Sequence, residues 1–335
     1  MIMADRIHHH PMEARRPLGR HGLMVGPMAL GCAPIANLGR EVTPEDAYGA
    51  IRASWDAGAR YFDVAPHYGL GLGESRLGAA LRDKPREDYI LSSKIGRLLV
   101  ESGDSQSDDE GFAVTTALRR RRDYSRDGVR RSIESSLTRL GVDRLDIVFV
   151  HDPDDFREIA LRETFPALEE LREDGLITSY GAGMNQSEML LDFVVETQSD
   201  VMMCAGRYTL LDRSGAELMN AAMSRDVSIV AAGVFNSGLL ARDVPDASAT
   251  FDYLPAPSEL LERARGLAEV CNDFNVSLPA AAAQFPLRHP AVSTVCLGAR
   301  TAEQATRNAG LFEVGIPEAL WAAIDSRRFE QSSYK

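Results

Sequence analysis

Tyr61-Phe-Asp-Val-Ala-Pro-His-Tyr-Gly69 changes character twice within its short length. Tyr61 and Phe62 read as the end of a short apolar strand, Asp63 stands where that strand would stop, and Pro66 breaks the chain. Gly69, Gly71 and Gly73 keep the next loop open until Glu74 begins a helix that runs to Leu81. Strand, loop and helix in that order make one βα unit, and the rest of the chain repeats it. Short apolar runs fall at 28–32, 61–63, 90–94, 145–151, 179–184, 201–204, 227–232 and 292–297. Segments with helical spacing separate them, at 44–57, 74–81, 128–140, 159–174, 188–196 and 216–225, with two more between Ser258 and Arg288. Thr43-Pro44 is an N-cap followed by proline, and Gly58, Gly141 and Gly175 fall where a left-handed residue closes a helix.

Eight strands alternating with helices predict parallel pairing, in either a doubly wound sheet or a closed barrel. A dinucleotide-binding sheet carries Gly-x-Gly-x-x-Gly after its first strand, and Gly31-Cys-Ala-Pro-Ile does not match. Gly69-x-Gly-x-Gly has the wrong spacing. Eight strands in 335 residues predict an α/β fold of (β/α)8 TIM-barrel type, as one domain over 17–335. A small hairpin with its turn near His21-Gly22 precedes it, and residues 1–16, with His8-His9-His10, read as a disordered polar leader. The connection from Lys94 to Ser125 is long, acidic in 101–110 and basic at Arg119–Arg122. It reads as a lid or a partly disordered loop, its basic run solvated and paired with the acidic stretch.

The apolar fraction of 44% is ordinary for a globular protein, and a net charge of −12 argues against nucleic acid or an anionic membrane as partner. Cys32, Cys204, Cys271 and Cys296 lie far apart and form no CxxC pair, the pattern of reduced thiols and not of a disulfide framework or zinc site. No apolar run is long enough to span a bilayer, and the first residues lack a signal-peptide core. The expected location is cytoplasmic, with no metal.

In a barrel the working residues sit at the carboxyl ends of the strands. The second strand ends at Asp63 with Tyr68 just beyond, the third at Lys94, and the fourth at His151-Asp152-Pro153. Taken singly, Lys94 reads equally as a rim residue and His151 as a core histidine. A rim with four such groups is harder to explain by packing. A phenol is a poor acid or base near neutrality, but an adjacent ammonium favours its ionised form, Asp63 can hold that ammonium, and His151 can bond a substrate oxygen. The set suits proton transfer at an alcohol or carbonyl oxygen. The accompanying carbon chemistry needs a hydride partner that no side chain supplies and a nicotinamide does.

In Asp63-x4-Tyr68, Lys94 and His151 the chain resembles the aldo-keto reductase superfamily, over about residues 17–328. Within it, Tyr68–Ser75, Ser92–Leu99, Asp123-Tyr-Ser125, Val150-His-Asp152 and Gly233–Leu240 are similar to a subgroup of D-threo-aldose (L-fucose) 1-dehydrogenases and pyridoxal 4-dehydrogenases. The resemblance implies Tyr68 as acid/base, Asp63 and Lys94 tuning it, and His151 orienting substrate. It implies NAD or NADP held by Asn185, by Val234, Phe235, Asn236 and Gly238 after the seventh strand, and by Gly298, Ala299 and Arg300 after the eighth, with Gln304 and Asn308 near the adenosine end. Register puts Ala205 and Ala232 where many members carry a carboxamide-binding Gln and a stacking aromatic, so Phe235 is the remaining candidate to place the nicotinamide ring. Gln304 stands at a frequent arginine position, which leans towards NAD, while Arg300 keeps NADP open. His67, Phe112 and Tyr124 are the candidate walls for a sugar or aldehyde substrate.

The implied reaction is oxidation of a sugar hemiacetal at C1 to a lactone, with pyridoxal 4-dehydrogenation or general aldehyde reduction as alternatives. A Schiff-base lyase acting through Lys94 leaves the cofactor loops unexplained. A nicotinamide-sensing regulatory subunit would not need all four catalytic positions filled. Oligomeric state is not legible.

Overall fold

The computed structural model describes residues 7–8, 10–246, 249–251 and 254–327. Eight strands close a parallel barrel: β1 (Met28–Gly31), β2 (Tyr61–Asp63), β3 (Ile90–Ile95), β4 (Leu145–His151), β5 (Ile177–Met184), β6 (Val201–Ala205), β7 (Ser228–Ala232) and β8 (Val292–Gly298). Each pairs with the next, and Val295–Gly298 of β8 pairs with Met28–Gly31 of β1 to close the ring. Every residue of β4 is buried, as a parallel strand covered on both faces requires. Around the ring lie α1 (Pro44–Asp56), α2 (Leu72–Leu81), α3 (Arg126–Leu140), α4 (Phe165–Glu173), α5 (Ser187–Glu196), α6 (Ala216–Ser224), α7 (Ser258–Asp273), α8 (Leu278–Gln284), α9 (Ala302–Glu313) and α10 (Glu318–Ser326). Thr43 caps α1 as the sequence predicts, accepting from Asp46 N at 3.1 Å, and Ser125 caps α3, accepting from Gly128 N at 3.1 Å. Gly141 closes α3 with φ 69°.

The segment expected as one helix over 159–174 is broken. A short helix Arg157–Ile159 passes through a π-helical turn, Ala160–Thr164, before α4 begins. Pro166 stands in the first turn of α4, has no N–H to give, and crowds the carbonyl four residues earlier, so the chain widens there.

Two apolar layers hold the fold. One lies between barrel and helices; the other fills the barrel with Ala29, Tyr61, Ile147, Phe149, Val201, Met203 and Val230. The expected hairpin, Arg16–Leu18 paired with Leu23–Val25, plugs the amino-terminal end of the barrel with Leu18 and Val25. Gly19 N donates to Ser228 Oγ at 2.9 Å, and Ser293 Oγ to Pro17 O at 2.6 Å.

Part of the segment expected to be a disordered leader is structured. Ile7–His8 pairs antiparallel with Ile316–Pro317, Met12 is buried in the main core, and Arg16 already belongs to the hairpin. Burial of the apolar Met12 side chain outweighs the polar composition of its neighbours. His9 and residues 1–6 lie outside the described residues.

The connection after β3 is also not an irregular loop. Arg97–Ser107 and Thr115–Arg122 form an antiparallel ribbon, with Arg97 opposite Arg122 and Ser107 opposite Thr115. Its tip is pinned to the loop after β1, where Gly39 N donates to Gly111 O at 2.8 Å and Ala113 N to Asn37 O at 2.9 Å. The basic run meets the acidic stretch mainly through Arg120, which pairs with Asp108; Arg119 instead bonds Thr116 O at 2.8 Å and Arg121 pairs with Asp123.

Candidate active site

The ends of β2, β3 and β4 bring Asp63, Lys94 and His151 to one rim, and the loop after β2 returns Tyr68 over them. Lys94 Nζ is 2.6 Å from Asp63 Oδ2, with the two side chains 2% and 3% exposed. Asp63 Oδ1 accepts from Ser92 Oγ at 2.7 Å, and Tyr61 donates its hydroxyl to that Oγ at 3.1 Å, so both carboxylate oxygens are fixed. Lys94 also donates to Val64 O at 3.2 Å and lies 4.8 Å from the centroid of the Tyr68 ring. His151 meets Tyr68 edge-on, ring centroids 5.9 Å apart.

The electrostatics differ from expectation in one respect. Burial would lower the Lys94 ammonium, yet Asp63 and then Tyr68 outweigh it and hold Lys94 above its ordinary range. Burial of the Tyr68 phenol raises its pKa, and the pull of Lys94 does not cancel that rise. Tyr68 is therefore a phenol in this state, not a phenolate. Burial, with Lys94 and Arg97 nearby, drives His151 well below the usual imidazole range, and it is neutral. His67 is pushed down to about 2, by burial first and then by Arg97 and Arg120. A lysine so paired and protonated is no Schiff-base nucleophile.

Of the three residues expected as substrate walls, none lines the cavity beside Tyr68, and two pack on the Tyr68 ring. Phe112, carried by the ribbon, stacks on Tyr68 at 6.1 Å, and His67 meets Phe112 edge-on at 5.1 Å. Tyr124 does not face the cavity. It is buried beneath the rim, donating its hydroxyl to His151 O at 2.6 Å and Asp152 O at 2.8 Å, and so braces the end of β4.

Beside Tyr68, Lys94 and His151 opens a cavity of about 690 Å³, lined also by Arg97, Arg122, Asp152, Asp154, Asp155, Gly183, Met184, Asn185, Met203, Ala205, Ala232 and Gly233. Asn185, Ala205 and Ala232 thus face the same space as Tyr68, Lys94 and His151. Arg97, Asp152, Ser92 and Met203 went unassigned in the sequence. For Arg97 the available signal was its place one residue beyond a glycine at the end of a barrel strand.

The loops after β7 and β8 carry the remaining candidates. Val234 is buried, and Phe235 packs on the outer core outside that cavity's lining. Asn236 Nδ2 donates to Gly206 O at 3.3 Å, while its buried Oδ1 has no partner. Gly238, with φ 104°, has open space where a Cβ would stand; Gly298 is kept small by Pro34, whose Cγ would lie 2.7 Å from such a Cβ. Ala299 is buried, and Asn308 Nδ2 braces the loop by donating to Gly298 O at 3.0 Å. Arg300 N donates to Gln304 Oε1 at 2.9 Å, its Nη2 donates to Leu38 O at 2.8 Å, and its buried Nε has no partner. Thr301 caps α9. Two buried unpaired polar atoms on adjacent loops, with small residues between and a helix N-terminus behind, fit a dinucleotide.

The profile of the Aldo/keto reductase family matches residues 27–328. The chain is 42% identical to D-threo-aldose 1-dehydrogenase of a Pseudomonas species, covering 92% of this chain and 95% of that one. It is 39% identical to pyridoxal 4-dehydrogenase of Microbacterium luteolum, over 95% and 98% of the respective chains. Among solved structures, the holo form of an aldo-keto reductase from Bacillus halodurans superposes with TM-score 0.75 at 26% identity, over 95% of this chain and 98% of that one. With the closed parallel barrel and its match over most of the length, the chain belongs to the aldo/keto reductase family and is an NAD(P)-dependent oxidoreductase.

Proposed function

We propose that this enzyme oxidises an aldose at C1 to the lactone, with Tyr68 as the proton carrier. The observation that carries the reading is the buried Asp63–Lys94 pair set against the Tyr68 ring at the wall of the cavity; the aldose 1-dehydrogenase among its relatives supports the substrate class. Asp63, fixed by Ser92, keeps Lys94 charged and aimed. Tyr68 first gives up its own proton to solvent through the open cavity; as a phenolate, its charge offset by the ammonium beside it, it then takes the proton of the C1 hydroxyl. Neutral His151 donates a hydrogen bond to the same substrate oxygen and holds it against the phenol. Nicotinamide, when bound, supplies the hydride acceptor that no side chain provides. Asn185 and the small residues Ala205, Ala232 and Gly233 leave it room beside His151.

For cofactor choice the reading is NAD over NADP. Gln304 brings no charge, its carbonyl is already bonded to Arg300 N, and the Arg300 guanidinium is turned to Leu38 O. A 2′-phosphate would gain no bidentate partner from position 304. The cytoplasm is the compartment that suits four buried free thiols.

The test is turnover with NAD and NADP separately against L-fucose, D-arabinose, L-galactose and pyridoxal, followed by the absorbance of reduced nicotinamide. Faster turnover with a sugar and NAD is the expected result. Turnover with pyridoxal alone would move the substrate to the aldehyde of the second relative, and a preference for NADP would overturn the cofactor reading.

A further inference from the structure

The wall of the cavity carries a pair of side chains that proton transfer at C1 does not use. Gly96, with φ 104° and the Tyr124 ring 2.2 Å from where a Cβ would stand, turns the chain out of β3 and delivers Arg97 to the cavity. Arg97 is 9% exposed. Its Nη2 donates to Asp152 Oδ2 at 2.6 Å, and its Nη1 donates to Glu110 Oε2 at 3.0 Å and lies 3.3 Å from either nitrogen of the His67 ring. Its Nε is buried without a partner, so the guanidinium retains a donor. Asp152 follows His151 directly and is held at φ 42°, a left-handed conformation that costs a non-glycine residue. Its hydrogen bonds end on Oδ2, and Oδ2 lies 3.6 Å from His151 Nε2. Among the described residues no hydrogen bond ends on the other carboxylate oxygen, and Asp152 lines the cavity.

Two groups aimed into one cavity at this spacing match two neighbouring oxygens of a vicinal diol. His151 donates to one and Asp152 accepts from the hydroxyl on the next carbon. Such an arrangement discriminates, because the half-buried Asp152 carboxylate forms a charge-assisted hydrogen bond that a substrate lacking that hydroxyl cannot make. Arg122 on the same rim is outweighed by Asp154 and Asp155, and Arg97 is neutralised by Asp152 and Glu110, which favours a neutral polyol over an anionic one. We propose that Asp152, positioned by Arg97, binds the C2 hydroxyl of an unphosphorylated aldose and selects substrates that carry it. This rests on the aldose reading above and names the part of the substrate that the site recognises.

The experiment is a two-by-two comparison of kcat/KM with the cofactor-loaded enzyme: wild type and Asp152→Asn, each with an aldose and its 2-deoxy counterpart, both oxidised at C1. The isosteric amide keeps an oxygen for Arg97 but weakens the acceptor. We expect Asp152→Asn to lose about tenfold to a hundredfold on the aldose, mostly in KM, and several-fold less on the 2-deoxy sugar. Arg97→Lys, which keeps a cation but not the fork, should move the ratio in the same direction. Equal losses on both sugars in both variants, with unchanged nucleotide binding, would overturn the assignment. Absence of wild-type turnover with either sugar is a different result: it removes the aldose reading itself.

Discussion

Lys94 Nζ lies 2.6 Å from Asp63 Oδ2 and 4.8 Å from the centre of the Tyr68 ring, so one buried ammonium is shared by a fixed carboxylate and a phenol. Lys94→Met leaves Asp63 without its partner, which costs about 3–5 kcal/mol of stability. Adding Asp63→Asn to Lys94→Met should restore much of that stability in urea denaturation without restoring turnover. A double variant that is both stable and active would show that the pair serves the fold alone.

His67 and His151 are buried neutral, which gives stability a defined pH dependence. The folded value for His67, about 2, lies below the ordinary 6.5, so between these values the unfolded chain binds a proton that the folded site excludes. Stability contributed this way is present above the ordinary value and is lost as pH falls, at ~1.4 kcal/mol per pH unit for each ring. His67→Gln should flatten the fall in Tm between neutral and mildly acidic pH. An unaltered slope would contradict the assignment.

Tyr124 acts on the site through backbone. Its hydroxyl serves the carbonyls of both His151 and Asp152. Tyr124→Phe should cost about 1–3 kcal/mol of stability and raise KM for the sugar, with nucleotide affinity nearly unchanged. Calorimetry and nucleotide titration on the one variant separate these effects, and a selective loss of nucleotide binding would count against this role.

Gln304 accepts from Arg300 N with the oxygen that its arginine counterpart lacks. Gln304→Arg should therefore shift the NADP/NAD ratio of kcat/KM towards NADP, by about tenfold if the fork reaches the 2′-phosphate. A ratio that does not move would mean that this turn of α9 lies away from the adenosine ribose.

The barrel was legible because a parallel strand buried on both faces writes itself as a continuous apolar run: 61–63 and 145–151 match the strand ends residue for residue. The gathering of Asp63, Lys94 and His151 at one rim was legible for a related reason, since an ionisable side chain ending such a run has few packing explanations. Local pattern failed where a distant partner decides the structure. The acidic and basic flanks of 97–122 carry no alternation of apolar and polar residues, yet they form a ribbon because its tip bonds to Asn37 and Gly39 and Phe112 closes on Tyr68. Tyr124 has the composition of a substrate wall, and only the turn at Gly96 tucks it underneath. The sign of the Tyr68 shift depends on how completely the ring is buried, which spacing does not reveal.

The most direct test is Tyr68→Phe, which removes one oxygen and leaves the Asp63–Lys94 pair and the ring contacts with Phe112 and His151 in place. Turnover is measured by reduced-nicotinamide absorbance and nucleotide affinity by fluorescence titration on the same preparation. Tyr68 as proton carrier predicts a loss of about 10²–10⁴ in kcat with nucleotide affinity preserved. Turnover within a few-fold of wild type would contradict it and assign the proton to another group at the rim.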